Sequence, residues 1–179
     1  MRKNKLQTLI FTALCTALIC ILGPLTIVIP VSPVPVSLSI LAIYISVYVL
    51  GFKWATAATA LYILIGLVGV PVFSGFSGGV GKLLGPTGGY IFGYLAVTLI
   101  AGLFIDKFPK KLYMHALGMV LGTGTCYLLG TVWLSQVAHM GLKAALMAGV
   151  VPFIPADVVK IIIALLVGPI LRRAIKKIS

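Results

Sequence analysis

The stretch "FIPADVVKIIIALL", Phe153 to Leu166, places Asp157 and Lys160 at the head of an unbroken run of Val, Ile, Ala and Leu. Asp157 is one of only two acidic residues among 179. Pro155 suits the first turn of a helix, where its missing N–H costs nothing. Asp157 then falls where the helix dipole favours a negative charge, and Lys160 follows about 4.5 Å further along the same face. A lysine this deep in an apolar helix is costly in lipid, about 2.5–3.5 kcal/mol at the bilayer centre, so it calls for a partner or a polar cavity.

The rest of the chain shares this character. It is 61% hydrophobic and 9% charged, against about 25% charged in a soluble domain. Such a chain cannot keep a water-facing surface, and the class is an all-α integral membrane protein, a single membrane domain over 1–179. Six apolar spans are expected, at 6–29, 38–50, 54–68, 88–105, 112–138 and 155–173. The second and third are short for a bilayer core of about 30 Å. The N-terminal run reads as a retained first helix, because no small-residue cleavage site follows it.

Orientation follows from Lys and Arg. With the N-terminus inside, eleven of the 14 fall in inner segments, Lys82 and Lys143 fall outside, and Lys160 lies within a span. This bias predicts a six-helix bundle with both termini cytoplasmic. It also explains the net charge of +12 as a topology signal, so no nucleic acid partner is expected. The outer side carries "SPVP" at Ser32 to Pro35, an extended turn. It also carries a Gly-rich loop with Val72, Phe73, Phe76, Val80, Leu83 and Leu84, expected to fold back over a cavity.

Catalytic motifs fail. Around Gly81 and Lys82 a phosphate loop would need Gly at Phe76 and Ser or Thr at Leu83, and a dinucleotide loop from Gly79 would need Gly at Leu84. Asp106 sits among inner-loop lysines, and no carboxylate pair exists for acid–base work. Cys15, Cys20 and Cys126 have no CxxC spacing and read as buried small hydrophobes; His115 and His139 read as interface residues. An enzyme is not expected. Small residues at helical spacing, Ala13 with Ala17, Gly89 with Gly93, and Gly118, Gly122, Cys126 and Gly130, permit close helix approach. On residues alone, Asp157 and Lys160 are either a helix cap with a local ion pair or a polar reader of a small molecule.

The segments "GVPVFSGFSGGVGKLLGPTGGYIFGY", "YLLGTVWL" and "PFIPADVVK", with "PVPVSLSILAIY" after the first span, resemble the BioY family, and the likeness runs over nearly the whole chain. These are the biotin-specific substrate-binding (S) components of energy-coupling factor (ECF) transporters. The resemblance implies six transmembrane helices, biotin as ligand without any cofactor, and a bacterial or archaeal cytoplasmic membrane. It further implies docking onto a membrane coupling subunit (the T component) with two ABC-type ATPases, which leaves ATP hydrolysis to other chains. Ala13 and Ala17 match the family's docking pair.

For the ligand, the resemblance implies that Asp157 accepts from a ureido N–H and Lys160 donates to the ureido carbonyl. Phe73, Tyr90 and Tyr127 would wall the thiophane ring and tail, and the backbone N–H groups of Thr87, Gly88 and Gly89 would approach closely. The biotin carboxylate is left to Lys160 or Lys82. Two positions depart from the family pattern: Ser39 stands where Gln is usual, and Ala156 where Gly is usual. An S component for another vitamin and a purely structural bundle are the alternatives.

Overall fold

The computed structural model describes residues 5–27 and 34–178. Each of the six apolar runs holds a helix: α1 (Lys5–Leu22), α2 (Ser39–Leu50), α3 (Phe52–Leu67), α5 (Gly88–Lys107), α6 (Leu112–Val137) and α8 (Ile154–Ile178). Two shorter helices, α4 (Val80–Leu84) and α7 (Leu142–Gly149), lie in the connections. Strands β1 (Thr26–Ile27) and β2 (Val36–Ser37) pair antiparallel, Thr26 opposite Ser37.

Helices α1, α5, α6 and α8 are long and apolar enough to cross a membrane. Helices α2 and α3, of 12 and 16 residues, reach only about 18 and 24 Å at 1.5 Å per residue. The outward faces stay apolar, with Leu128 and Leu166 well exposed. In water such faces would drive aggregation, whereas in lipid they are the solvated surface.

The first span is shorter than its apolar run suggests. Helix α1 ends at Leu22, and Gly23-Pro24 turns the chain toward β1. Hydropathy cannot see this break, because the residues after it are equally apolar. Positions 28 and 29 of the expected span, and Ser32 and Pro33 of the "SPVP" turn, lie outside the described residues.

Packing between helices uses small residues and hydroxyls. The Gly118, Gly122, Cys126 and Gly130 stripe of α6 faces α5: added Cβ atoms would meet Phe104, Val97 and Tyr90 at 2.5, 3.1 and 2.3 Å, and Cys126 lies against Gly93. Thr16 of α1 donates to the Ala58 carbonyl of α3 at 3.3 Å, and Thr59 and Thr98 join α3 to α5 at 3.1 Å. Between α2 and α3 the chain turns at Gly51, whose φ of 77° favours glycine.

His115 differs from expectation. It is buried, its Nε2 donates to the Phe108 carbonyl at 3.0 Å, and its Nδ1 takes a 3.1 Å bond from the Tyr48 hydroxyl. It therefore fastens α6 to α2 and to the turn before it rather than facing an interface. Its partner Tyr48 lies 67 positions away and cannot be read from local pattern. His139 is exposed, just past the end of α6.

Candidate ligand-binding site

Helix α8 begins beside Phe153, whose carbonyl accepts the Asp157 N–H at 2.9 Å. One turn of helix sets the Asp157 carboxylate within 2.7 Å of the Lys160 Nζ, and both side chains are buried. Tyr127 of α6 donates its hydroxyl to the other Asp157 oxygen. The ammonium keeps two of its three donors, each carboxylate oxygen keeps a lone pair, and the phenol oxygen can still accept. The three side chains together offer both hydrogen-bonding senses within a few ångströms.

These groups line one cavity of about 40 Å³. Its remaining walls are Val34, Pro35, Val36 and Ser37 from β2 and the residues before it, Ile40 of α2, Tyr90 and Tyr94 of α5, Cys126 of α6, and Phe153. Tyr90 is fixed in place: its hydroxyl donates to the Gly149 carbonyl at 2.9 Å, and its ring stands edge-on to Phe153. A second cavity of about 580 Å³ adjoins the first, with Val36 and Lys160 as walls common to both. Lys160 therefore stands between a narrow chamber that holds the polar cluster within apolar walls and a wide apolar one, walled by Leu38, Leu41, Phe76, Val159 and Ile163. The wide one has the size usual for small-molecule sites, roughly 300–1,000 Å³.

Of the residues expected at the site, the fold brings Asp157, Lys160, Tyr90 and Tyr127 together on this cavity. It places Phe73, Thr87, Gly88 and Gly89 off its walls. Phe73 is fully buried, edge-on to Tyr62 and so close to Gly66 that a Cβ there would lie 2.1 Å from its ring. Its backbone pairs with Ser77 within the Gly-rich loop, and the Gly79 N–H donates to the Gly66 carbonyl at 2.6 Å, which pins the loop onto the end of α3. Gly88 and Gly89 make room for α6 and α4. Added Cβ atoms would fall 2.3 Å from Trp133 at Gly89 and 1.7 Å from the Leu83 carbonyl at Gly88. Thr87 is buried, with its hydroxyl 3.4 Å from the Lys82 carbonyl. Lys82 lies in α4, on neither cavity, and partial burial holds its pKa below the ordinary lysine value.

The two unusual positions are also placed. Ser39 bonds Ser37 at 2.6 Å, and Ser37 reaches back to the Gly23 carbonyl at 2.9 Å, which ties β2 to the end of α1. Ala156 lines the wider cavity. The walls missed by sequence reading are those from Val34 to Ser37, with Ile40, Tyr94, Cys126 and Phe153. Tyr94 carried a usable signal, since it follows Tyr90 by four residues on one helical face.

A model of the BioY family matches residues 1–177. The chain belongs to the BioY family. Among curated BioY relatives, the biotin transporter BioY of Thermotoga maritima is 38% identical over 163 residues, which is 91% of this chain and 94% of that protein. The biotin transporter BioY2 of Lactococcus lactis is 32% identical, over 98% of this chain and 95% of its own length. Among solved structures, the S component for biotin from an ECF-type ABC transporter superposes with a TM-score of 0.89 at 31% identity, covering 97% of this BioY chain and 95% of that one.

Proposed function

We infer that this chain is the biotin-binding S component of an ECF-type uptake transporter. The observation that carries the reading is the buried Asp157–Lys160–Tyr127 cluster on an otherwise apolar cavity, in a chain that is like the S component for biotin over almost its whole length. The ureido ring of biotin offers two N–H donors and one carbonyl, which suits a carboxylate beside an ammonium. Its thiophane ring and methylene tail suit the apolar walls. Asp157 accepts from a ureido N–H, and Lys160 uses its remaining donors on the ligand.

The chain acts without chemistry of its own. It takes biotin from the outer face and docks through the α1 surface bearing Ala13 and Ala17 onto a T component driven by two ATPases. Both alanines are exposed, while Thr8, Thr12, Cys15, Thr16 and Ile19 of the same helix are buried, which supports a surface kept clear of the bundle's own core. All six helices cross the cytoplasmic membrane of a bacterium or archaeon, with both termini inside. The 11-to-2 distribution of Lys and Arg supports that sense.

Binding of labelled biotin to the purified chain tests the reading, with thiamine and riboflavin as competitors. Saturable binding that excess biotin abolishes and the other vitamins leave intact is the expected result. Displacement by another vitamin, or no saturable binding, would overturn it.

A further inference from the structure

Where α8 ends and α6 begins, far along α8 from the Asp157 cluster, the two helices part around a cleft of about 670 Å³. Its walls change from apolar to basic in the same sense on both sides, along α8 and from the start of α6 into the turn before it. On α8, Leu166 and Ile170 lead to Arg173; on the other side, Leu112 leads to Lys110. Leu166, Ile170 and Leu112 are well exposed, so this apolar floor opens toward lipid. Lys110 and Arg173 are exposed at the polar end.

Among the described residues, these two cations have no carboxylate partner. Only two acidic residues exist in the sequence, and each is already engaged: Asp157 by Lys160 at 2.7 Å and Asp106 by Arg172 at 2.7 Å. No acidic side chain remains for Lys110 or Arg173. Their neutralising anion must come from outside, at a depth where basic groups meet membrane headgroups.

We propose that this cleft binds one anionic phospholipid, its phosphate between Lys110 and Arg173 and an acyl chain along Leu112, Leu166 and Ile170. Basic pockets between transmembrane helices are suited to such headgroups, and each juxtamembrane cation adds attraction. A zwitterionic lipid brings the same phosphate with a quaternary ammonium, which these cations repel. With the topology inferred above, the lipid belongs to the inner leaflet, but the cleft's chemistry does not depend on that orientation or on biotin.

Native mass spectrometry of the full chain tests this, with phosphatidylglycerol and phosphatidylcholine of identical acyl chains. Wild type should bind the first phosphatidylglycerol about ten- to thirty-fold more tightly, as two headgroup-facing cations imply. Lys110→Gln with Arg173→Gln should bring the two lipids level. Ile170→Trp fills the floor without altering charge and should lower phosphatidylglycerol binding by a similar factor. Lys53→Gln, an exposed cation at the same end but outside the cleft, should change nothing. Equal affinity of wild type for the two lipids overturns the proposal. So does full binding by Ile170→Trp, an equal loss in Lys53→Gln, or displacement of the lipid by millimolar inorganic phosphate. If the double variant fails to fold, the Ile170→Trp and Lys53→Gln arms decide the question alone.

Discussion

Arg172 donates to Asp106 at 2.7 Å across 66 positions of sequence, and the same carboxylate accepts the backbone N–H of Phe52 at 2.8 Å. One side chain thus caps the start of α3, holds the end of α5 and anchors α8. Arg172 also donates from Nη1 to the Ile105 carbonyl at 3.0 Å. Asp106→Ala should lower stability by about 1–3 kcal/mol, because it strands an N–H and a cation together. Asp106→Asn keeps an acceptor for Phe52 and should lose less. Thermal unfolding in detergent ranks the two, and equal losses would mean that the cap on Phe52 adds nothing beyond the ion pair.

At the ligand cluster, Asp157→Asn and Lys160→Met should each weaken biotin by about ten- to a hundred-fold, at ~1.4 kcal/mol per decade. Tyr127→Phe removes the hydroxyl that orients the carboxylate and should cost about three- to ten-fold, in line with one lost hydrogen bond. Titrations of the singles and of the Asp157–Lys160 double separate two roles. Near-normal affinity in the double variant means that the pair serves only itself. A biotin amide assigns Lys160: if Lys160→Met harms biotin and spares the amide, the lysine holds the carboxylate.

Gly130→Ala should disturb the cavity from behind. Its Cβ would sit 2.3 Å from the Tyr90 ring, which cannot swing aside while its hydroxyl holds the Gly149 carbonyl. Overpacking of this kind costs about 1–3 kcal/mol, and biotin affinity should fall with it. Gly124→Ala on the same helix meets nothing within 4 Å and should be neutral or slightly stabilising. Unfolding and binding measured on both variants check the contrast.

On α1, Ala13→Leu with Ala17→Leu should leave folding and biotin binding unchanged, since both positions are exposed. Co-purification with a T component and ATPases, and uptake by cells, should fall. Lost biotin binding with intact assembly would place the pair inside the bundle's own packing.

For topology, Ser77→Cys should react with an impermeant thiol reagent on intact cells and Lys110→Cys should not, in a background without the three native cysteines. The reverse pattern would invert the bundle.

The apolar runs and the Asp157–Lys160 pair were legible in sequence because a charge in an apolar helix is conspicuous. Among the cavity walls Tyr90 and Tyr127 were legible as well, and the others were not. Hydropathy separates water from oil, so walls such as Val36, Ile40 and Phe153 look like the lipid-facing Leu99 and Leu103, and Tyr94 showed only through its spacing from Tyr90. The glycines of the Gly-rich loop show the same limit. Gly88 and Gly89 mark a close approach, but whether to a ligand or to Trp133 depends on a helix 44 residues further on. Asp106 lay in plain sight among lysines, yet its partner was Arg172 and not one of them.

The two ion pairs also differ in when they can exist during biogenesis. Asp157 and Lys160 share one helix, three residues apart. They can meet as soon as that turn forms, so α8 can leave the translocon with its buried charges already matched, which offsets part of the cost of placing a lysine in lipid. Asp106 and Arg172 meet only after α5 and α8 have come together. The first pair eases the entry of a segment into the bilayer; the second records that the segments have assembled.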